Sequence, residues 1–127
     1  MHKHVRFWYL LILGWGLVLN QLAQAQVSQH ITQLNHKEAA VRLFGAYALG
    51  LRGDEKAIQP LLQLLTDPDS NVRLATIDAL GEIGSEKALA KLVPLLSHSE
   101  AKVRAHTADA VVKIVSTAES VKYQITR

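Results

Sequence analysis

The chain has 127 residues, 49% of them hydrophobic, with 14 Lys plus Arg against 11 Asp plus Glu and no Cys. The absence of Cys excludes a disulfide framework and thiolate metal sites, so the fold must rest on packing alone. The formal charge of +3 falls to +1 once Lys3 and Arg6 of the amino-terminal leader are set aside, and acidic and basic residues are interspersed thereafter with no run of like charge, which gives no support for a nucleic-acid partner.

Residues 1–25 have the three-part layout of a secretory signal. Lys3 and Arg6 lie in the first six residues, FWYLLILGWGLVL occupies 7–19, and NQLAQA occupies 20–25. An apolar run of this length spans about 20 Å as a helix, short of the ~30 Å hydrocarbon core of a bilayer. Ala23 and Ala25 put small side chains where a signal peptidase requires them, which predicts cleavage before Gln26 and a mature protein in the periplasm or outside the cell. An uncleaved anchor and a buried core helix are the alternatives for this segment. After cleavage no membrane association is expected. The mature domain is then residues 26–127.

An internal repeat organises the remainder. VRLFGAYALGLRG at 41–53 recurs as VRLATIDALGEIG at 72–84 and as VRAHTADAVVKIV at 103–115, a period of 31 residues, and 13 of 31 positions are identical between 41–71 and 72–102. Each unit pairs a leucine-rich helical pattern, such as AIQPLLQLL at 57–65, with a longer one that starts at Val-Arg. In the latter, Val72, Ala75, Ala79, Leu80 and Ile83 fall on one helix face. Asp69 or Ser70 can cap its start, Gly84 can stop it in the left-handed region, and Ser85 can cap the next helix. Val115 replaces that Gly in the third unit, so its helix should run on. Pro60 and Pro94 fall in the leucine-rich helices: Pro60 is near the first turn, where it costs less, and Pro94 is deeper, where it removes one bond and favours a kink, so that they shape the curvature of the stack.

LLTDPDSNVRLATIDALGEIG at 64–84 resembles the HEAT repeat, in the short variety also found in phycobilisome lyases. The resemblance implies an all-α solenoid of antiparallel helix pairs. Outer helices are expected at 27–35, 55–66 and 86–97, inner helices at 38–52, 70–83 and 101–115, and a closing half-unit at 117–127. It also implies a concave, protein-binding surface lined by inner helices, and a structural ladder in which Arg42, Arg73 and Arg104 pair with an Asp of the turn. Only Asp67 occupies that Asp position; His36 and His98 stand at its equivalents, where they can accept a bond or, when protonated, repel the Arg.

The parts of a catalytic or metal site are not assembled by the sequence. His30, His36, His98 and His106 are not spaced one helical turn apart, and no His-Glu dipeptide of the kind used by HEAT-like di-iron hydroxylases occurs. His106 is expected on the packed face as a satisfied core histidine. No nucleophile elbow or phosphate loop is present, so no cofactor is expected. The function expected is an exported, non-catalytic protein-interaction or scaffold module, with an accessory subunit of a lyase-like or other enzyme complex as the alternative and self-association open. The binding residues expected are Leu43, Tyr47 and Leu51, the apolar stripe of the first inner helix with Ala40, continued by Leu74, Asp78 and Glu82 of the second. Folding of residues 26–34 over that stripe as a terminal cap is the competing arrangement.

Overall fold

The computed structural model describes residues 2–126, and among them every regular element is helical. Helix α1 is His2–Gln33 and α2 is Ala39–Arg52; α3, Ile58–Gln63, is flanked by 3-10 turns Glu55–Ala57 and Leu64–Thr66. Helix α4 is Ser70–Ile83; α5, Leu89–Leu92, lies between 3-10 turns Glu86–Ala88 and Val93–Ser97; and α6 is Ala101–Ile125. The outer layer is thus α1, the α3 segment and the α5 segment, and the inner layer is α2, α4 and α6. The expected boundaries 55–66, 70–83 and 86–97 coincide with these elements.

Local chemistry sets the ends. Asp69 Oδ1 accepts from the amides of Asn71 and Val72 at 2.9 and 3.1 Å and so satisfies two free donors at the start of α4. Gly53 and Gly84 close α2 and α4 at φ values of 65° and 72°, the region that glycine enters without a Cβ clash. Val115 stands at the third such position, and α6 continues to Ile125. Residues 117–125 are therefore the last turns of α6 and not a separate closing helix. Asp54 caps the first outer turn through Lys56 N at 2.9 Å, whereas Ser85 makes no cap bond and its hydroxyl reaches Glu55 at 3.3 Å. Pro94 opens the 3-10 turn Val93–Ser97, where the outer helix departs from α geometry because proline donates no amide hydrogen.

The inner helices stack side by side at close range. A Cβ on Gly50 would sit 2.8 Å from Ala79 Cα, and one on Gly81 would sit 2.8 Å from Ala110 Cα, so the two glycines let backbone meet backbone one period apart. Leu49, Leu61, Leu80, Leu92 and Ile114 are fully buried between the layers, and each such side chain contributes ~1.5–3 kcal/mol. Thr76 and Thr107 are also fully buried, their hydroxyls donating to the carbonyls of Val72 and Val103 at 2.7 and 2.6 Å. The first unit has Gly45 at this register, and His30 and Gln33 of α1 with Leu34 just beyond it fill the space.

Both ends of the stack leave apolar surface open. Every residue from Lys3 to Ala23 is exposed, which removes the core-helix alternative for 7–19, and burial in α1 starts at Val27. No break occurs at the expected boundary between Ala25 and Gln26: α1 is continuous, and its Lys3–Gln33 stretch of 31 residues is long and apolar enough to cross a membrane. On the third unit Val93 and Leu96 are exposed, whereas their counterparts Leu62 and Leu65 pack against the core beneath the following unit.

Candidate functional site

Three parallel rows of side chains line a groove of about 680 Å³ on the inner-helix face. Helix α2 contributes Leu43, Tyr47 and Leu51, at a spacing of four residues that keeps them on one side of the helix. Helix α4 contributes Ala75, Asp78 and Glu82, and α6 contributes Ala105, His106, Asp109 and Lys113. Gly50 and Ala79 form the floor where α2 and α4 touch. Leu43, Tyr47 and Leu51 are 36%, 59% and 67% exposed, so the aromatic ring and two isobutyl groups meet solvent. Residues 27–34 do not cover them. They pack on the Gly45 side of α2, where the His30 and Phe44 rings meet edge to face at 5.9 Å.

Polar contacts fix the other two rows. His106 Nδ1 lies 2.7 Å from Asp78 Oδ1, and Lys113 Nζ lies 2.5 Å from Glu82 Oε1 and 3.2 Å from Asp109 Oδ2. The Glu82 carboxylate first, and Asp109 second, hold the Lys113 ammonium above the usual lysine range. His106 is consequently a groove residue in contact with an acid, not the core histidine expected from the periodicity. The 31-residue period itself sets Glu82 beside Lys113, a signal present in the sequence; the Asp78–His106 contact bridges 28 residues and depends on how α4 and α6 cross. Leu74 belongs to the expected binding set but does not line the groove: it is half-buried and packs against the core.

The arginine row lies at the turn edge of the stack. Arg42 grips Asp67 with two bonds, Nε to Oδ2 at 2.8 Å and Nη2 to Oδ1 at 2.9 Å. The Arg42 guanidinium holds the Asp67 carboxyl below the usual range against the opposing effect of burial, and the Asp69 amide acts in the same direction as Arg42. The common element of the three units is different. Arg42 Nη1 donates to the carbonyls of His36 and Lys37, Arg73 Nη1 to those of Asp67 and Pro68, and Arg104 Nη1 to those of His98 and Ser99, at 2.7–3.2 Å. Each arginine therefore ties down the two-residue turn that precedes its own helix. Arg73 has Glu100 as its acidic neighbour, at 3.6 Å. Only the Arg42 rung has the Asp partner that the resemblance implied.

His36 and His98 take over the local duty of Asp67. Asp67 Oδ1 accepts from Asp69 N at 2.9 Å, and the Nδ1 atoms of His36 and His98 accept from Glu38 N and Glu100 N at 3.1 Å. In all three turns a side-chain acceptor holds the amide two residues on. Acceptance by Nδ1 requires the tautomer protonated at Nε2. His36 and His98 thus shape turns at the edge of the stack, whereas His30 lies in α1 against Phe44 and His106 lies in the groove.

The family model for HEAT repeats matches residues 27–112. The chain belongs to the HEAT repeat family. HEAT repeats generally serve as scaffolds for protein interaction. The matched segment begins at Val27, the residue at which α1 starts to pack, and ends at Val112, inside α6. No curated protein matches the chain.

Proposed function

We propose that this HEAT repeat chain is an exported, non-catalytic scaffold that holds a partner protein in the groove between α2, α4 and α6. The observation that carries the reading is the open row Leu43, Tyr47 and Leu51 beside the charged pairs of α4 and α6. An aromatic residue among aliphatics makes an effective anchor because Tyr buries a large area with few rotatable bonds. Tyr47→Ala is the test. Partner capture weakens by ~2 kcal/mol or more while the melting temperature stays close to wild type, because the ring has little packing to lose. Loss of stability with unchanged capture would assign Tyr47 to the fold and remove the site.

Export is supported by the basic start, the apolar stretch 7–19 and the small residues Ala23 and Ala25, together with the complete exposure of the helix over Lys3 to Ala23. In the folded chain Gln24 and Gln26 accept from Lys56, at 2.6 Å, and from Arg52. Cleavage before Gln26 sacrifices the first of these bonds and keeps the second. Mass spectrometry of the exported protein is expected to find Gln26 at the amino terminus; recovery of an intact, membrane-held residue 1 would replace cleavage with anchoring. A second reading, an accessory subunit of a lyase-like or other enzyme complex, or of its own dimer, is favoured by the exposed Val93, Leu96 and Val112 on the outer side of the third unit. Light scattering on the mature chain separates the two, since self-docking gives a dimer.

A further inference from the structure

The groove is apolar on one wall and carries an excess of acids over the other two. Among its lining residues three carboxylates, Asp78, Glu82 and Asp109, face one ammonium, Lys113, and the imidazole of His106, so the acids outnumber the bases whether or not His106 carries a proton. Lys113 serves Glu82 and Asp109 together, and each of those acids, like Asp78, uses a single oxygen in its pair. A concave surface with an uncompensated charge concentrates its field on whatever enters, so this groove attracts cations. Leu43, Tyr47 and Leu51 advance by four residues at each step and span about 12 Å along α2, the length of two turns of a helix laid beside it.

Resting on the scaffold reading, we infer that the occupant of the groove is a basic amphipathic helix of a partner protein. Its apolar residues, at intervals of three and four, lie on Leu43, Tyr47 and Leu51. Its Lys or Arg side chains, one turn away on the flank, reach the free oxygens of Asp78, Glu82 and Asp109. The apolar wall supplies most of the affinity, and the acids supply orientation, association rate and rejection of acidic segments. An acidic amphipathic helix would place carboxylate against carboxylate over α4 and is excluded by the same charges.

The experiment uses the protein as recovered from cells and two synthetic helical peptides of identical leucine pattern, one carrying Lys and the other Glu on the polar face. Binding is followed by calorimetry over a range of salt concentrations. The Leu/Lys peptide is expected to bind, with affinity that falls as salt rises, and the Leu/Glu peptide is expected to bind at least tenfold more weakly. Tyr47→Ala should reduce Leu/Lys binding by roughly thirtyfold. The double variant Asp78→Asn, Glu82→Gln should reduce it by roughly three- to tenfold and flatten its salt dependence. If Tyr47→Ala does not fold, as judged by circular dichroism, Leu51→Ser reads the same wall from a more exposed position. Equal binding of both peptides, lost in Tyr47→Ala, would overturn the charge assignment and leave the groove in place. Binding of neither peptide also overturns the inference, and binding that survives every groove variant overturns the groove reading with it.

Discussion

Replacing Gly81 with Ala probes the close contact on which the stack depends. In an isolated helix this change is favourable by about 1 kcal/mol, because glycine weakens a helix interior. Here the added methyl carbon would lie 2.8 Å from both Cα and Cβ of Ala110, about 0.8 Å inside ordinary carbon contact at ~3.6 Å. Backbone cannot step aside as a flexible side chain can, so α6 must retreat from α4 along the seam that joins the second and third units. Forced overpacking of this kind costs ~1–3 kcal/mol, and a gap of 0.5–1 Å forfeits about a quarter to a half of each neighbouring dispersion contact. Setting the gain against these losses leaves Gly81→Ala destabilised by about 1–2 kcal/mol, or roughly 5–15 °C in melting temperature for a domain near 100 residues. Thermal melts by far-ultraviolet circular dichroism measure it. Adding Ala110→Gly removes the clash with Cβ but not with Cα, so the double variant should recover only part of the loss, apart from the helix penalty of the new glycine. A melting temperature above wild type for Gly81→Ala would mean that α4 and α6 are not held this close.

Leu80 is fully buried, and Leu80→Ala is expected to cost ~2–5 kcal/mol, visible as a lower urea midpoint; a midpoint equal to wild type would contradict the assignment of the packed face. Asp67 has a folded pKa below its unfolded value of ~3.9, so its contribution to stability is complete above that value and disappears as pH falls through the folded pKa. The gap in urea midpoint between wild type and Asp67→Asn should therefore be widest near neutrality and narrow below about pH 4; a gap that is constant with pH would show that the carboxylate charge is not what Arg42 uses.

The helices and their order are legible in the chain because they arise from local rules. A period of 31 residues, apolar spacing of three and four, Asp69 at one end of α4 and Gly84 at the other specify a helix pair and its buried face without reference to distant residues. Replacement of the glycine stop by Val115 marks the extension of α6 in the same way. Contacts between helices are another matter. The side on which α1 packs against α2 is decided by Gly45, which admits Gln33 and Leu34, and this choice leaves Leu43, Tyr47 and Leu51 open. Periodicity alone could not separate that arrangement from a cap over the stripe, because both bury one face of each helix.

The same limit explains Leu74, His106 and the arginine row. Leu74 and Asp78 share a face by helical spacing, yet the first packs against the core and the second lines the groove. His106 stands where Phe44 and Ala75 stand in the other units, and only the crossing of α4 and α6 brings it to Asp78. The arginines repeat in the sequence, but their shared acceptors are turn carbonyls, groups that every residue possesses and no sequence pattern marks. The repeat, the helix ends and the buried face depend on neighbours along the chain, so the order of residues was enough to specify them. Which of the remaining side chains meet across the groove was settled only by the packing of the helices, because the close approach of α2 to α4 at Gly50 and of α4 to α6 at Gly81 fixes which rows face each other.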